Sequence, residues 1–319
     1  MTSPSSAPTA PSGRQFVIGH GSQQAVVTEV GATLRSYSVG GEPVVDGFDE
    51  DDICPSARGQ VLAPWPNRLG DGTYTFGGRT GHAAWDEPER RNAIHGLVRW
   101  MAWEPRSQAQ NVLTLGCVLE PQPGYPWRLG LEVEYRLGRS GLVVNTQAVN
   151  LDDEPAPFGI GFHPYLCAGT DTVDSARLSL PAARVLSTDD RGLPIGEHHV
   201  GGTEHDFRVA RPIGPTKLDT AYVGLARDAD GVGRVELAHP DDGRAVTLWM
   251  DRSFGYVMAY TGDTLGEVGR RRRSMAVEPM SCPPDALRSG TALATLAPGG
   301  TWRGTWGVTA VVPGRNGAA

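Results

Sequence analysis

Glycine and proline interrupt this chain along its whole length: 42 glycines and 25 prolines are spread through 319 residues rather than gathered in a tail. In a helix interior glycine costs about 1 kcal/mol and proline about 3 kcal/mol relative to alanine. Such punctuation leaves little room for long helices. What lies between the breaks is short and strand-like, apolar residues alternating with polar ones as a half-buried strand requires. Strands are predicted across 15–37 with a break at Gly31, and at 73–76, 112–119, 129–137, 142–149, 179–186, 232–238, 244–250, 256–260, 292–296 and 301–308. Pro240, Asp241, Asp242 and Gly243 mark a hairpin between two of them. The expected fold class is all-β, a large antiparallel β-sandwich with few short helices. Residues 1–14, rich in Ser, Pro and Thr, read as a tail without the charged start and apolar core of a signal peptide. Residues 15–312 show no linker composition and no repeat, and are expected to form a single sandwich domain. Residues 313–319 read as a frayed end.

The net charge of -7, with no basic stripe, argues against nucleic acid or an anionic membrane as a partner. No apolar stretch approaches the roughly 18 residues that a membrane helix needs. A small neutral molecule suits this surface better, in a cytoplasmic protein working as a monomer or homodimer. Cys54, Cys117, Cys167 and Cys282 form no Cys-x-x-Cys pair and read as reduced thiols. Lys217 is the single lysine, and so the single candidate for Schiff-base chemistry.

Five polar residues occupy places where the local sequence fixes their aim. Arg68 follows Pro64-Trp65-Pro66-Asn67, a lead-in held by two prolines. His95 precedes Gly96, which suggests a backbone approached closely by something else. His163 lies between aromatic residues, and Pro164 drives its backbone toward an extended conformation. Asp219 sits where a loop enters a strand. Glu278 closes the apolar run 275–278 before Pro279, Pro283 and Pro284, and is expected at a strand end. Taken singly, each has an ordinary reading as a packed or solvated residue. Meeting in one groove, they suit a substrate that must gain one proton and lose another. A histidine with an unperturbed pKa of ~6.5 and a buried glutamate raised from ~4.3 supply that pair. Opening a sugar hemiacetal needs it, since one group protonates the ring oxygen while the other takes the proton of the anomeric hydroxyl.

From about Phe16 to Val312 the chain resembles the aldose 1-epimerase family. The carriers are Gly31-Ala32-Thr33-Leu34, Pro66-Asn67-Arg68, Ile94-His95-Gly96, Phe162-His163-Pro164-Tyr165, Leu218-Asp219-Thr220, Val277-Glu278-Pro279, Pro284-Asp285-Ala286 and Leu296-Ala297-Pro298-Gly299-Gly300. Their order and spacing together are specific. The resemblance implies a galactose mutarotase-like β-supersandwich that interconverts the α and β anomers of a free aldohexose. It implies His163 as general acid and Glu278 as general base, with Arg68, His95 and Asp219 binding sugar hydroxyls, and no metal or cofactor. The chain departs from the common pattern at Phe162, where asparagine is frequent, at Met280, where glutamine is frequent, and at Leu97, where a second glycine often follows. It looks like a divergent bacterial branch.

Two other functions fit such a groove: a non-catalytic sugar-binding protein, and a hexose-6-phosphate 1-epimerase using the run Arg270 to Arg273 as its phosphate contact. Alone, that run reads as a solvated loop. Trp65, Trp85, Trp100 and Tyr165 are the candidates for a stacking face. The cluster Glu197, His198, His199, Glu204, His205 and Asp206 reads as a solvated loop, because its spacing matches no helical zinc arrangement.

Overall fold

The computed structural model describes residues 10–313. Strands take 49% of the chain and helices 3%, which meets the all-β expectation. Two large sheets carry most of the strands. The first has twelve and runs from Gln15–His20 through Gln23–Thr28, Leu34–Val39 and Glu42–Val45 to Tyr165–Leu166, Met275–Met280, Tyr256–Tyr260, Asp219–Leu225, Ala182–Thr188 and Pro194–His199. Gly161–Phe162 pairs with Met275–Met280 and with Val61–Leu62. The second sheet has nine strands, among them the meander Glu104–Ala109, Val112–Leu119, Leu129–Gly138 and Gly141–Asn150. The last long strand, Thr301–Val311, returns to lie between Gly141–Asn150 and Ala245–Met250.

Alternation decides which face is buried. Along Leu129–Gly138, Leu129, Leu131, Val133, Tyr135 and Leu137 point inward, and the residues between them do not. These side chains join Val27, Leu34, Phe162 and Val277 of the first sheet in one connected core. Tyr135 satisfies its buried hydroxyl by donating to the Ala32 carbonyl at 2.6 Å, a bond from the second sheet to the turn between Gln23–Thr28 and Leu34–Val39 of the first.

The structure corrects three local expectations. Residues 179–186 are not one strand: Arg177–Ser179 belongs to the second sheet and Ala182–Thr188 to the first. The break falls at Leu180-Pro181, where proline has no N–H to continue a ladder. Within the His- and acid-rich segment, Pro194–His199 is an exposed strand rather than a loop, with Glu197 paired to Arg184 at 2.6 Å. Among the described residues no group of three or more His, Cys, Asp or Glu is placed to hold a metal ion. Glu278, expected at a strand end, is the fourth residue of Met275–Met280 and lies inside the first sheet. Pro279 fits there because the neighbour on its other side is interrupted, Gly161–Phe162 and Tyr165–Leu166 pairing with opposite ends of the strand.

The expected tails lie outside the described residues at 1–9 and 314–319. Ser12 is buried, and its carbonyl accepts from Val30 N–H. Among the described residues no helix is long and apolar enough to cross a membrane, and all four cysteines are free thiols.

Candidate active site

The interruption that accommodates Pro279 also makes the site. Gly161 lies opposite Met280 and Tyr165 opposite Ala276. The same register places His163 opposite Glu278. His163 Nε2 lies 3.3 Å from Glu278 Oε1, with both side chains almost fully buried. The backbone of His163 is held on its other side by residues 59 and 60: Gly59 N–H donates to its carbonyl at 2.8 Å, and its own N–H donates to Gln60 at 3.2 Å.

Arg68 and His95 arrive on a separate two-stranded ribbon, Arg68–Gly70 paired with Asn92–Ile94. Left-handed backbone at Asn67 (φ 58°) and His95 (φ 65°) turns both chains at the ribbon's end, and such strain in non-glycine residues is concentrated at functional sites. The close approach expected beside His95 is made by Ala63. A Cβ on Gly96 would sit 2.1 Å from the Ala63 carbonyl oxygen. Asp285 clips the ribbon to the exit of the Glu278 strand, its N–H donating to Arg68 O at 2.7 Å and its Oδ1 accepting from Gly70 N–H at 2.9 Å.

All five predicted residues, Arg68, His95, His163, Asp219 and Glu278, line one cavity of about 500 Å³, a size suited to a small molecule. The Arg68 guanidinium donates to Glu87 through Nε at 3.0 Å and Nη2 at 3.2 Å, and Nη2 lies 3.6 Å from Asp219 Oδ2. His95 Nδ1 accepts Asn67 N–H at 3.2 Å. Burial, reinforced by His163, Arg99 and Arg68, holds the His95 pKa well below its usual value. The ring is therefore neutral with its proton on Nε2, a donor for a hydroxyl.

Burial governs the central pair too. It pushes His163 down to about 3. It also raises Glu278 well above the usual carboxylate range, helped by Asp219 and opposed by Arg68. Both shifts disfavour charge on the buried pair, so a proton held between them rests on Glu278 rather than on His163. His163 Nδ1 and Glu278 Oε2 have no protein hydrogen-bond partner despite their burial. Buried polar atoms are normally satisfied, so these two suit a polar ligand.

Of the aromatic candidates, Trp65 is buried in the core. Trp85 is exposed and does not line the cavity. Trp100, 52% exposed, stands on the cavity wall, with the Arg99 guanidinium 5.5 Å from its ring centroid. Tyr165 also lines the wall, but its ring is occupied: His163 stacks on it at 5.0 Å, and the Arg58 guanidinium lies 4.0 Å from its centroid. Phe162 and Met280, two departures from the family pattern, turn away into apolar packing. Neither touches the cavity.

Sequence reasoning missed Arg58, Glu87 and Arg99. Glu87 lies in a polar, irregular segment and Arg58 in a turn, so no periodicity marked either. The arginine run does not line this cavity. Arg270 donates to Gly47 O at 2.6 Å and Arg271 to Leu265 O at 2.8 Å. Arg272 bonds Asp174 at 2.6 Å and Asp263 at 2.8 Å. Three of the four arginines thus tie down a loop, which is a different role from a solvated run, and the phosphate contact proposed for them is not at the site.

Residues 14–309 match the family model for aldose 1-epimerase. The chain is 33% identical over 289 residues to the uncharacterized protein YihR of Escherichia coli (strain K12), covering 90% of each. It is 28% identical over 220 residues to galactose mutarotase of Homo sapiens, covering 65% of this chain and 63% of that protein. Its fold matches the GalM/aldose epimerase homologue from C. elegans with a TM-score of 0.83 at 20% identity, over 94% of this chain and 99% of the other. It matches the galactose 1-epimerase from Lactobacillus acidophilus NCFM with a TM-score of 0.78 at 20% identity, over 93% and 94%. A family match across nearly the whole chain, joined to a cavity that gathers the family's motifs, leads to one conclusion: the chain belongs to the aldose 1-epimerase family.

Proposed function

We propose that the protein interconverts the α and β anomers of a free aldohexose by acid–base ring opening and reclosure. The observation that carries this reading is the buried contact of 3.3 Å between His163 Nε2 and Glu278 Oε1, a one-proton pair on the wall of a polar cavity. His163 gives its proton to the ring oxygen while Glu278 takes the proton of the anomeric hydroxyl. The C1–O5 bond breaks and an aldehyde forms at C1. Rotation about C1–C2 presents the other carbonyl face, and reclosure runs both transfers in reverse. This direction begins from the arrangement with the proton on His163. Hydroxyl donors of the sugar and the Arg68 guanidinium favour the carboxylate form of Glu278 once the cavity is filled. Arg68, His95 and Asp219 hold the remaining hydroxyls, and positioning of this kind contributes much of the barrier reduction.

On the same reading the sugar is the working partner, the protein acts as a monomer or homodimer without metal or cofactor, and the compartment is the cytoplasm, where four free thiols are the ordinary state. Polarimetry on freshly dissolved α-glucose and α-galactose, with a chelator present, tests it. The expected result is equilibration well above the spontaneous rate for at least one free aldose. Spontaneous rates across a panel of aldoses contradict it.

A further inference from the structure

Arg58 is fully buried and does not line the cavity. Its Nη1 bonds Asp46 Oδ2 at 2.6 Å and approaches Ser274 Oγ at 3.4 Å. Nε and Nη2 are buried without a hydrogen-bond partner, and the flat group lies 4.0 Å from the centroid of Tyr165. The same ring stacks with the His163 imidazole at 5.0 Å, inclined by 18°. Residues 59 and 60, directly after Arg58, hold the His163 backbone. A buried cation with a single carboxylate is poor support for stability, since desolvation offsets much of the attraction. Its geometry is better explained by what it presses against.

We propose that Arg58 is a positioning residue for His163: anchored by Asp46 and Ser274, it braces the Tyr165 ring against the imidazole and fixes the angle at which His163 meets Glu278 and the sugar. The brace rests on the acid–base reading of His163. It has an electrostatic corollary. The groups facing His163 are Glu278 from the central strand, His95 from the ribbon, Tyr165 on its own segment, Arg58 over the Tyr165 ring, and Arg99. Burial is the main cause of the low His163 pKa, and the Arg58 and Arg99 charges lower it further. Removing the Arg58 cation therefore raises it.

Arg58→Met tests both parts. In kinetics, kcat falls about 10- to 100-fold with KM within about twofold, because the working angle is lost while the cavity lining stays. The acid limb of kcat/KM moves upward relative to the wild type. In 15N NMR of the sugar-free protein, the His163 titration, assigned by its loss in His163→Asn, moves upward too. Arg58→Lys keeps the charge and loses the flat brace, so its kcat falls while the titration stays near wild type. This variant carries the test if Arg58→Met does not fold. Variants that lower Tm but leave kcat, the pH profile and the NMR titration unchanged overturn the proposal. The NMR titration needs no turnover: a shifted titration in a protein that turns over no sugar sinks the acid–base reading and leaves the contact between Arg58 and His163 standing.

Discussion

Glu278 works against the fold that holds it. Burial raises its pKa well above 4.5, so the folded protein keeps a proton that the unfolded chain releases. Stability from such a group is complete below the unfolded pKa and is lost as pH rises through the folded value. Above the unfolded value the wild type loses that contribution progressively as pH rises. Glutamine does not titrate. Glu278→Gln is therefore expected to melt at a higher temperature than the wild type at pH 7 to 8, the gap closing near pH 4. Calorimetric scans at both pH values check this. A gap that does not change with pH, or a less stable variant at neutrality, contradicts the raised pKa. A catalytic group that lowers stability is the ordinary cost of an active site; His163, whose pKa burial lowers, costs stability in the opposite direction, as pH falls below the unfolded value.

The ribbon carrying Arg68 and His95 has only three residues on each side, too few to stand alone. Its place depends on the Asp285 clip, which joins it to the loop leaving the Glu278 strand. Asp285→Ala leaves the buried Gly70 N–H without its acceptor, a loss of roughly 1–3 kcal/mol. The expected variant has a lower Tm and a raised KM for the sugar, since the ribbon that carries Arg68 loses the carboxylate half of its clip and keeps only the backbone bond to Arg68 O. Denaturation and Michaelis–Menten measurements check both effects, and a variant unchanged in Tm and KM shows that the clip is dispensable. The motif Pro284-Asp285-Ala286 was legible in the sequence as a family marker, but its purpose was not, because it bonds a segment far away along the chain. Glu278 is similar. Its prolines read as a strand end, and only the split neighbour strand shows how proline stays inside a sheet. Arg58 left no trace at all, since a residue in a turn has no periodicity to reveal its burial.

Across the whole molecule, the all-β class followed from scattered glycine and proline with alternating apolar segments, and the meander of 112–119, 129–137 and 142–149 is observed to within a residue or two. Which sheet each strand joins was not readable. The switch at Leu180-Pro181 and the return of Thr301–Val311 to a partner formed long before it depend on packing between distant segments. Four of the five site residues were marked by local proline or glycine and Asp219 by a loop entering a strand, and their convergence on one cavity is the contribution of topology. That convergence is the central claim, and it is tested most directly by anomer exchange rates of the wild type, Glu278→Gln and His163→Asn on one accepted aldose, each variant first shown to be folded. Either substitution is expected to remove at least about 10²-fold of the rate, leaving exchange near the spontaneous value. Near-wild-type exchange in either folded variant contradicts it.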